Sequence, residues 1–325
     1  MNAIVIGLGS MGRRRIRLIK QYSSNIKIVG IDLNDNRRKI SEEQFGIETD
    51  TDLKKVLDVN DINCAFICTS PLSHSHLINL CLEYNLHVFT ELNLISDGYD
   101  ENVDLAKKKK RALFLSSTFL YRAEIIKINE LIRQQSDIVN YSYHVGQYLP
   151  DWHPWENYKD FFVGEKRTNG CRELFAIELP WLIEVFGNIK DIVVRKSKIS
   201  SLNIDYDDNY LVILEHESGH KGMLAVDILS RKAVRNLEVF GENLYLSWDG
   251  SAEGLKMMDI AKRKEENILL YEKVDQLDQY SKFVVENAYY DEIVSFFEVI
   301  SNNIEPIYDF EKDKIILDLI DRIEA

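Results

Sequence analysis

The chain is poor in several features that would each have pointed to a function class. Only four cysteines occur among 325 residues, at Cys64, Cys68, Cys81 and Cys171. None forms a Cys-x-x-Cys pair, so neither structural zinc nor dithiol redox chemistry is indicated. Cys64 and Cys68 fall in one apolar strand pattern and Cys81 in an apolar helix pattern, where a thiol serves as a small core filler. Without a disulfide framework, a reduced, cytoplasmic protein is expected. No apolar run is long enough to span a bilayer, and no leader segment precedes the first strand pattern. Positive charge is also short: 40 Lys and Arg against 53 Asp and Glu leave a net charge of −13. That balance argues against a nucleic-acid partner and against an anionic membrane surface. The basic run at 107–111 closes a predicted helix, where cations complement the dipole. No internal repeat, low-complexity linker or cluster of metal ligands is found, and no metal is expected. The remaining balance, 45% hydrophobic and 29% charged, supports ordinary cores and surfaces in one large or two medium domains.

The most informative stretch opens the chain. Residues 4–12 read Ile-Val-Ile-Gly-Leu-Gly-Ser-Met-Gly, an apolar run feeding into Gly-x-Gly-x-x-Gly, and a basic amphipathic stretch follows. In a strand–turn–helix, Gly7 permits the tight turn, Gly9 lets backbone approach a pyrophosphate, and Gly12 lets the helix pack near the strand. The helix start, with Ser10 and Met11, presents its backbone N–H groups to the anion. A second apolar strand pattern ends at Asp32, twenty residues beyond Gly12, where a ribose-binding carboxylate is expected. A carboxylate repels a 2′-phosphate, so NAD is favoured, with NADP kept open because Arg37 and Arg38 lie close downstream.

Up to about residue 120 the pattern alternates. Strands are predicted at 2–7, 26–32, 63–69, 86–91 and 112–117, and helices near 11–22, 35–44, 51–58, 73–84 and 98–110. This implies right-handed crossovers and a parallel sheet. From 121 to 325 the pattern changes. A helix at 121–135, a strand at 138–149, an irregular aromatic segment at 150–172 and a helical patch at 173–186 are followed by strand patterns at 189–199, 209–217, 221–228, 234–240 and 243–248. Consecutive strands with short turns read as an open, mostly antiparallel sheet. Helices at 283–301 and 311–324 close the chain, and they are expected to belong to the second domain or to pack back on the first. The fold class is therefore α/β: a Rossmann domain over 1–120, then an α+β domain for substrate binding and oligomerisation over 121–325.

Five features carry a family resemblance: Gly7-Leu-Gly-Ser-Met-Gly12; Ala65-Phe-Ile-Cys-Thr-Ser-Pro71 followed by His74; His87-Val-Phe-Thr-Glu91; Ser117-Thr-Phe-Leu-Tyr-Arg122; and Asn169-Gly170 before a helical patch ending in Phe186-Gly187. In these the chain resembles the glucose–fructose oxidoreductase / inositol dehydrogenase (Gfo/Idh/MocA) family. The resemblance implies NAD(P)-dependent oxidoreduction of a sugar, sugar nucleotide or polyol, with coenzyme and substrate meeting between two domains. It also implies homodimers or homotetramers assembled through an exposed sheet face. By the same resemblance Thr69, Ser70, Pro71, His74, Glu91 and Leu92 line the coenzyme pocket.

Two departures bear on catalysis. The family's Glu-Lys-Pro is here Glu91-Leu92-Asn93, and a leucine neither donates a hydrogen bond nor carries charge. The Asp-x-x-x-His pair of the second domain is missing too. Counting back from Gly187 puts the histidine position near Ile177 or Glu178. Glu178 is the expected replacement, and Glu173 approximately replaces the aspartate. Proton transfer from a hydroxyl needs a base poised near working pH, and a glutamate reaches that range only through burial. Glu173 and Glu178 are five apart, so they share one face only if the helix starts or kinks between them, which Pro180 makes reasonable. The loop from Tyr148 to Phe162 adds His153 as an alternative acid/base and Lys159 as a stand-in for the absent lysine. Trp152 and Tyr158 offer faces for sugar stacking, and Trp155 adds a second indole. Arg122 and Arg172 are candidate clamps for a phosphate or carboxylate, or partners of nearby acids. A non-redox enzyme retaining NAD, of lyase or glycosidase type, and a non-catalytic coenzyme-binding protein are the alternatives.

Overall fold

The structure, a computed structural model, describes residues 1–153, 156–277 and 281–325. Pro154 and Trp155 of the aromatic loop lie outside the described residues. The chain divides into two units, Met1–Ser117 with Tyr289–Ile315, and Thr118–Ala288 with Ile316–Ala325.

The first unit alternates as its apolar runs dictate. Strands β1 (Asn2–Ile6), β2 (Lys27–Ile31), β3 (Glu48–Asp50), β4 (Cys64–Ile67), β5 (His87–Thr90) and β6 (Leu113–Leu115) are linked by helices α1 (Ser10–Tyr22), α2 (Asp35–Phe45), α3 (Leu53–Val59), α4 (His74–Glu83) and α5 (Tyr99–Lys109). All pairs are parallel and the order is β3-β2-β1-β4-β5-β6. The order reverses direction between β1 and β4, which opens a crevice at their carboxyl ends, where open α/β sheets bind ligands. The edge strand β3 lies outside the predicted set. It is three polar residues long, and no apolar alternation marks it.

Helix starts follow local chemistry. The Asn34 side chain accepts from the Arg37 amide to cap α2, and Asp52 accepts from Lys55 to cap α3. Helix α8 (Glu286–Asn302) returns to this unit from Tyr289 onward. There Phe296 meets Phe66, Phe89 and Phe114 edge-on at ring separations of 5.1, 5.5 and 5.6 Å, forming the aromatic centre of the core.

The second unit holds α6 (Ala123–Arg133), β7 (Asn140–Gly146), α7 (Gly170–Phe186), β8 (Ile189–Ser197), β9 (Asn209–His216), β10 (Lys221–Asp227), β11 (Val234–Phe240), β12 (Tyr245–Trp248), β13 (Lys256–Asp259), β14 (Lys264–Asn267) and the end of α9 (Phe310–Glu324). Its sheet runs β14-β13-β12-β11-β7-β10-β9-β8. It is antiparallel throughout except between β7 and β10. Consecutive strands 221–228 and 234–240 were expected to pair, yet β7 lies between them. The link after β10 instead bonds across the exit of β7, with Tyr148 donating to the Ser230 carbonyl at 2.7 Å.

One face of this sheet is buried against α7: Tyr141 stacks on Phe186, and Tyr143 and Tyr210 meet Trp181 and Phe175 edge-on. The other face leaves Val193, Leu211, Ile213 and Met223 about half exposed or more. The β13–β14 hairpin escapes sequence reading because it is polar and largely exposed. Among the described residues, no helix is long and apolar enough to cross a membrane.

Candidate active site

The glycine turn of the first unit has the geometry of an anion cradle. Gly7 has φ of +91°, a region side chains rarely adopt, and a Cβ there would lie 2.7 Å from the Cys68 carbonyl oxygen. A Cβ on Gly12 would lie 1.8 Å from the Gly7 carbonyl oxygen, so helix and turn touch only because Gly12 lacks a side chain. Gly9 is different: the nearest atom to a Cβ there is the Arg37 guanidinium tip at 3.9 Å, and the space over it is open. Gly9 caps α1 without a side-chain acceptor, so Ser10, Met11 and Gly12 open the helix with their amides at the turn.

Asp32 follows β2 directly and braces the turn on that side: its Oδ2 accepts the Leu8 amide at 2.7 Å and its Oδ1 the Asn34 amide at 2.8 Å. A carboxylate has about four lone-pair sites, so each oxygen retains acceptor capacity for a ribose hydroxyl. Arg37 is 3.9 Å from Oδ2 and half exposed, and Arg38 donates to the Asp32 main-chain carbonyl.

On the other side of the crevice, Thr69, Ser70 and Pro71 follow β4, with Ser70 exposed and Pro71 buried. His74 opens α4 and is buried. Its Nε2 lies 3.0 Å from the Thr69 carbonyl, which can only accept, so Nε2 carries the proton. Burial lowers the pKa of the ring and keeps it neutral. Nδ1 is then an acceptor, and the Asn93 amide atom 2.5 Å away must be its NH2 group. That orientation also gives a partner to an Asn93 nitrogen otherwise left without one. Asn93, at the motif's proline position, therefore orients His74. Glu91 follows β5 and is held by Arg15, and Leu92 is half-buried beside it.

In the second unit, helix α7 starts at Gly170, capped by the Asn169 side chain, which accepts from the Arg172 amide at 2.8 Å. The start thus precedes both glutamates, and Pro180 lies inside the helix beyond them. The expected break between Glu173 and Glu178 is absent, because the Asn169 cap sets the first turn upstream of it. The two acids have different surroundings. Glu178 is fully buried and all its acceptor sites are used: Oε2 accepts from Tyr143 and Trp181, each at 2.7 Å, and Oε1 accepts from Arg235 Nε at 2.8 Å and Nη2 at 2.7 Å. This is a satisfied structural ion pair. Glu173 keeps some solvent contact, but its Oε2 is shut away with no partner among the described residues. Burial pushes its carboxyl up to about 7.

The remaining candidates are already engaged or lie in the loop. Arg122 forks onto Glu124 with bonds of 2.9 and 2.8 Å and donates to the Phe283 and Gly250 carbonyls. Arg172 pairs with Asp321 and Glu324 of α9. His153 Nδ1 is 2.7 Å from Glu156 and the ring stacks on Phe161 at 4.6 Å. Trp152 donates to the Gln147 carbonyl, and Tyr158 accepts from the Asn203 amide. Lys159 is exposed on a single 3-10 turn, Tyr158–Asp160.

Sequence reading passed over Arg15 and Glu292. The signal was present in α1, where a charged residue at 15 shares the buried stripe of Gly12, Ile16 and Ile19 and so demands a buried partner.

Residues 1–117 match the sequence model of an oxidoreductase family with an NAD-binding Rossmann fold. A curated relative, myo-inositol 2-dehydrogenase of Thermotoga maritima, is 25% identical over 131 residues, and the matched stretch spans 39% of either chain. Solved structures share the fold at greater length. An oxidoreductase from Agrobacterium radiobacter, in complex with NAD+, L-tartaric acid and magnesium, aligns with a TM-score of 0.81 at 12% identity, over 99% of this chain and 94% of its own. A levoglucosan dehydrogenase in complex with NADH gives 0.81 at 14% identity, over 100% and 95%. Biliverdin reductase from Synechocystis sp. PCC 6803, in complex with biliverdin and NADP+, gives 0.76 at 13% identity, over 99% and 97%.

Proposed function

We propose that the chain, whose residues 1–117 match the Gfo/Idh/MocA oxidoreductase family model, is an NAD(P)-dependent oxidoreductase of a sugar, sugar-nucleotide or polyol substrate. The observation that carries the reading is the open space over Gly9 between two glycines that tolerate no side chain. The residues fit the coenzyme: the start of α1 takes the diphosphate, Asp32 the ribose hydroxyls, and Thr69, Ser70, His74 and Leu92 line the other half of the crevice. When bound, a nicotinamide supplies a two-electron hydride acceptor or donor.

The protein's own share of the chemistry is the proton. Oxidising a carbinol releases a hydride from carbon and a proton from the hydroxyl, and that proton needs an acceptor. Glu173 suits the task because one of its oxygens has no partner among the described residues and its carboxyl is poised at about 7. In the reverse direction its protonated form returns the proton to the carbonyl oxygen. Glu178 is assigned to holding Arg235, and His153 and Lys159 to the loop that receives substrate, with Trp152 and Tyr158. The open sheet face bearing Leu211, Ile213 and Met223 is the surface through which copies of the chain pair.

The reading is tested by turnover on a panel of sugars and polyols, followed at the reduced-nicotinamide absorbance. Steady change with wild type and loss with Glu173→Gln supports it. Tightly retained coenzyme without net redox change favours the lyase-type alternative, and binding without turnover favours a coenzyme-binding protein.

A further inference from the structure

A buried ion cluster beneath β4 and β5 has no part in the chemistry above. Arg15, on α1, is fully buried. Its Nε meets Glu91 Oε1 at 2.6 Å, and its Nη2 meets Glu91 Oε2 at 3.1 Å, Glu292 Oε2 at 2.7 Å and the Ser116 hydroxyl at 3.1 Å. The guanidinium lies 4.5 Å from the Phe89 ring centre and 5.4 Å from that of Tyr289. Glu292, on α8, also accepts from the Ser116 hydroxyl and the Ser117 amide. The Cys68 thiol, just past β4, is 3.8 Å from Glu91. Arg15, Glu91, Glu292 and Cys68 thus meet there, with Tyr289 beside them. Arg15 Nη1 is shut from solvent with no partner among the described residues.

Position distinguishes this cluster from an ordinary core ion pair. Asp32 follows β2 on one side of the crevice, and Glu91 follows β5 on the other. With the order β3-β2-β1-β4-β5-β6, one mononucleotide half of a dinucleotide lies on the β2 side and the second, nicotinamide-bearing half on the β4–β5 side. Glu91 is the one carboxylate of the cluster that retains exposure, 12% of its side chain against none for Glu292. Burying one cation with two acids costs stability relative to an apolar core, and here the arrangement fixes the acid that reaches the crevice.

We propose that Arg15 is a positioning residue for the nicotinamide half of the coenzyme: by forking onto Glu91 it sets the floor of that half-site. The inference rests on the coenzyme reading. The test is calorimetric titration of NAD+ and of ADP-ribose, which lacks the nicotinamide, into wild type, Arg15→Gln and Arg15→Lys. Arg15→Gln is expected to weaken NAD+ by about tenfold or more while leaving ADP-ribose within about twofold, with Arg15→Lys between. Equal losses for both ligands, or none for either, would overturn the inference. Should Arg15→Gln fail to fold, Arg15→Lys and Glu91→Gln decide it by the same selectivity. Wild type that binds neither ligand defeats the coenzyme reading itself, a separate outcome.

Discussion

At the residue scale, two glutamates five positions apart on one helix show how surroundings divide labour. Glu173 has a carboxyl raised by burial to about 7 from an ordinary 4.5. Oxidation needs the base form, so kcat/KM for oxidation should rise with pH through about 7, and reduction should fall over the same range. Glu173→Gln should cost about 100-fold or more in kcat and abolish that inflection. The same shift has a stability consequence. A folded-state pKa above the unfolded one means the native state holds the proton more tightly, so the contribution is complete below about pH 4.5 and is lost as pH rises through 7. Glu173→Gln has no such loss. Between pH 4 and pH 8 it should gain on the order of 3 kcal/mol relative to wild type, measured by urea unfolding at both pH values. Glu178→Gln should do the opposite, lowering stability by roughly 3 kcal/mol because Arg235 is left buried without its counter-charge. A Glu178→Gln protein that unfolds like wild type would remove this division.

At the element scale, the turn and α1 make a separable prediction. Gly9→Ala adds a methyl where nothing lies closer than 3.9 Å, at a φ of −68° that any residue accepts. Its melting temperature should stay within a few degrees of wild type while NAD+ affinity falls at least about tenfold, since the methyl occupies the approach of the diphosphate. Gly12→Ala should lower both, because its Cβ meets the Gly7 carbonyl. Helix α7 depends in turn on the end of α9. Asn169 and Arg172, at its cap and first turn, both bond Glu324, and Lys196 bonds the Glu324 carbonyl. Glu324→Ala should loosen that first turn and shift the pH inflection assigned to Glu173, read from the rate profile.

The elements also show what sequence can reveal. The parallel half of the fold was legible because buried strands are continuous apolar runs and the glycine spacing is tied to one turn geometry. The central place of β7 was not, since register between distant strands is set by tertiary pairing rather than by local pattern. Glu178 read as a desolvated acid from its apolar neighbours alone. Its partner Arg235 lies 57 residues away, on a strand whose own pattern gives no hint of the pairing.

At the scale of the whole molecule, the two sheets differ in what they leave uncovered. The second unit's open face carries Val193, Leu211, Ile213 and Met223 among charged neighbours. If copies of the chain pair there, Ile213→Lys with Met223→Lys should shift the mass measured by light scattering toward the monomer while the far-ultraviolet spectrum is kept. The central claim, however, is that the first unit grips a nicotinamide coenzyme, and calorimetric titration tests it most directly. Wild type should bind NAD+ or NADP+ at one site per chain with Kd between about 1 μM and 1 mM, and Gly9→Ala should bind it at least about tenfold more weakly. No heat of binding from either coenzyme, oxidised or reduced, with a folded protein from which extraction releases no bound nucleotide, would contradict the account.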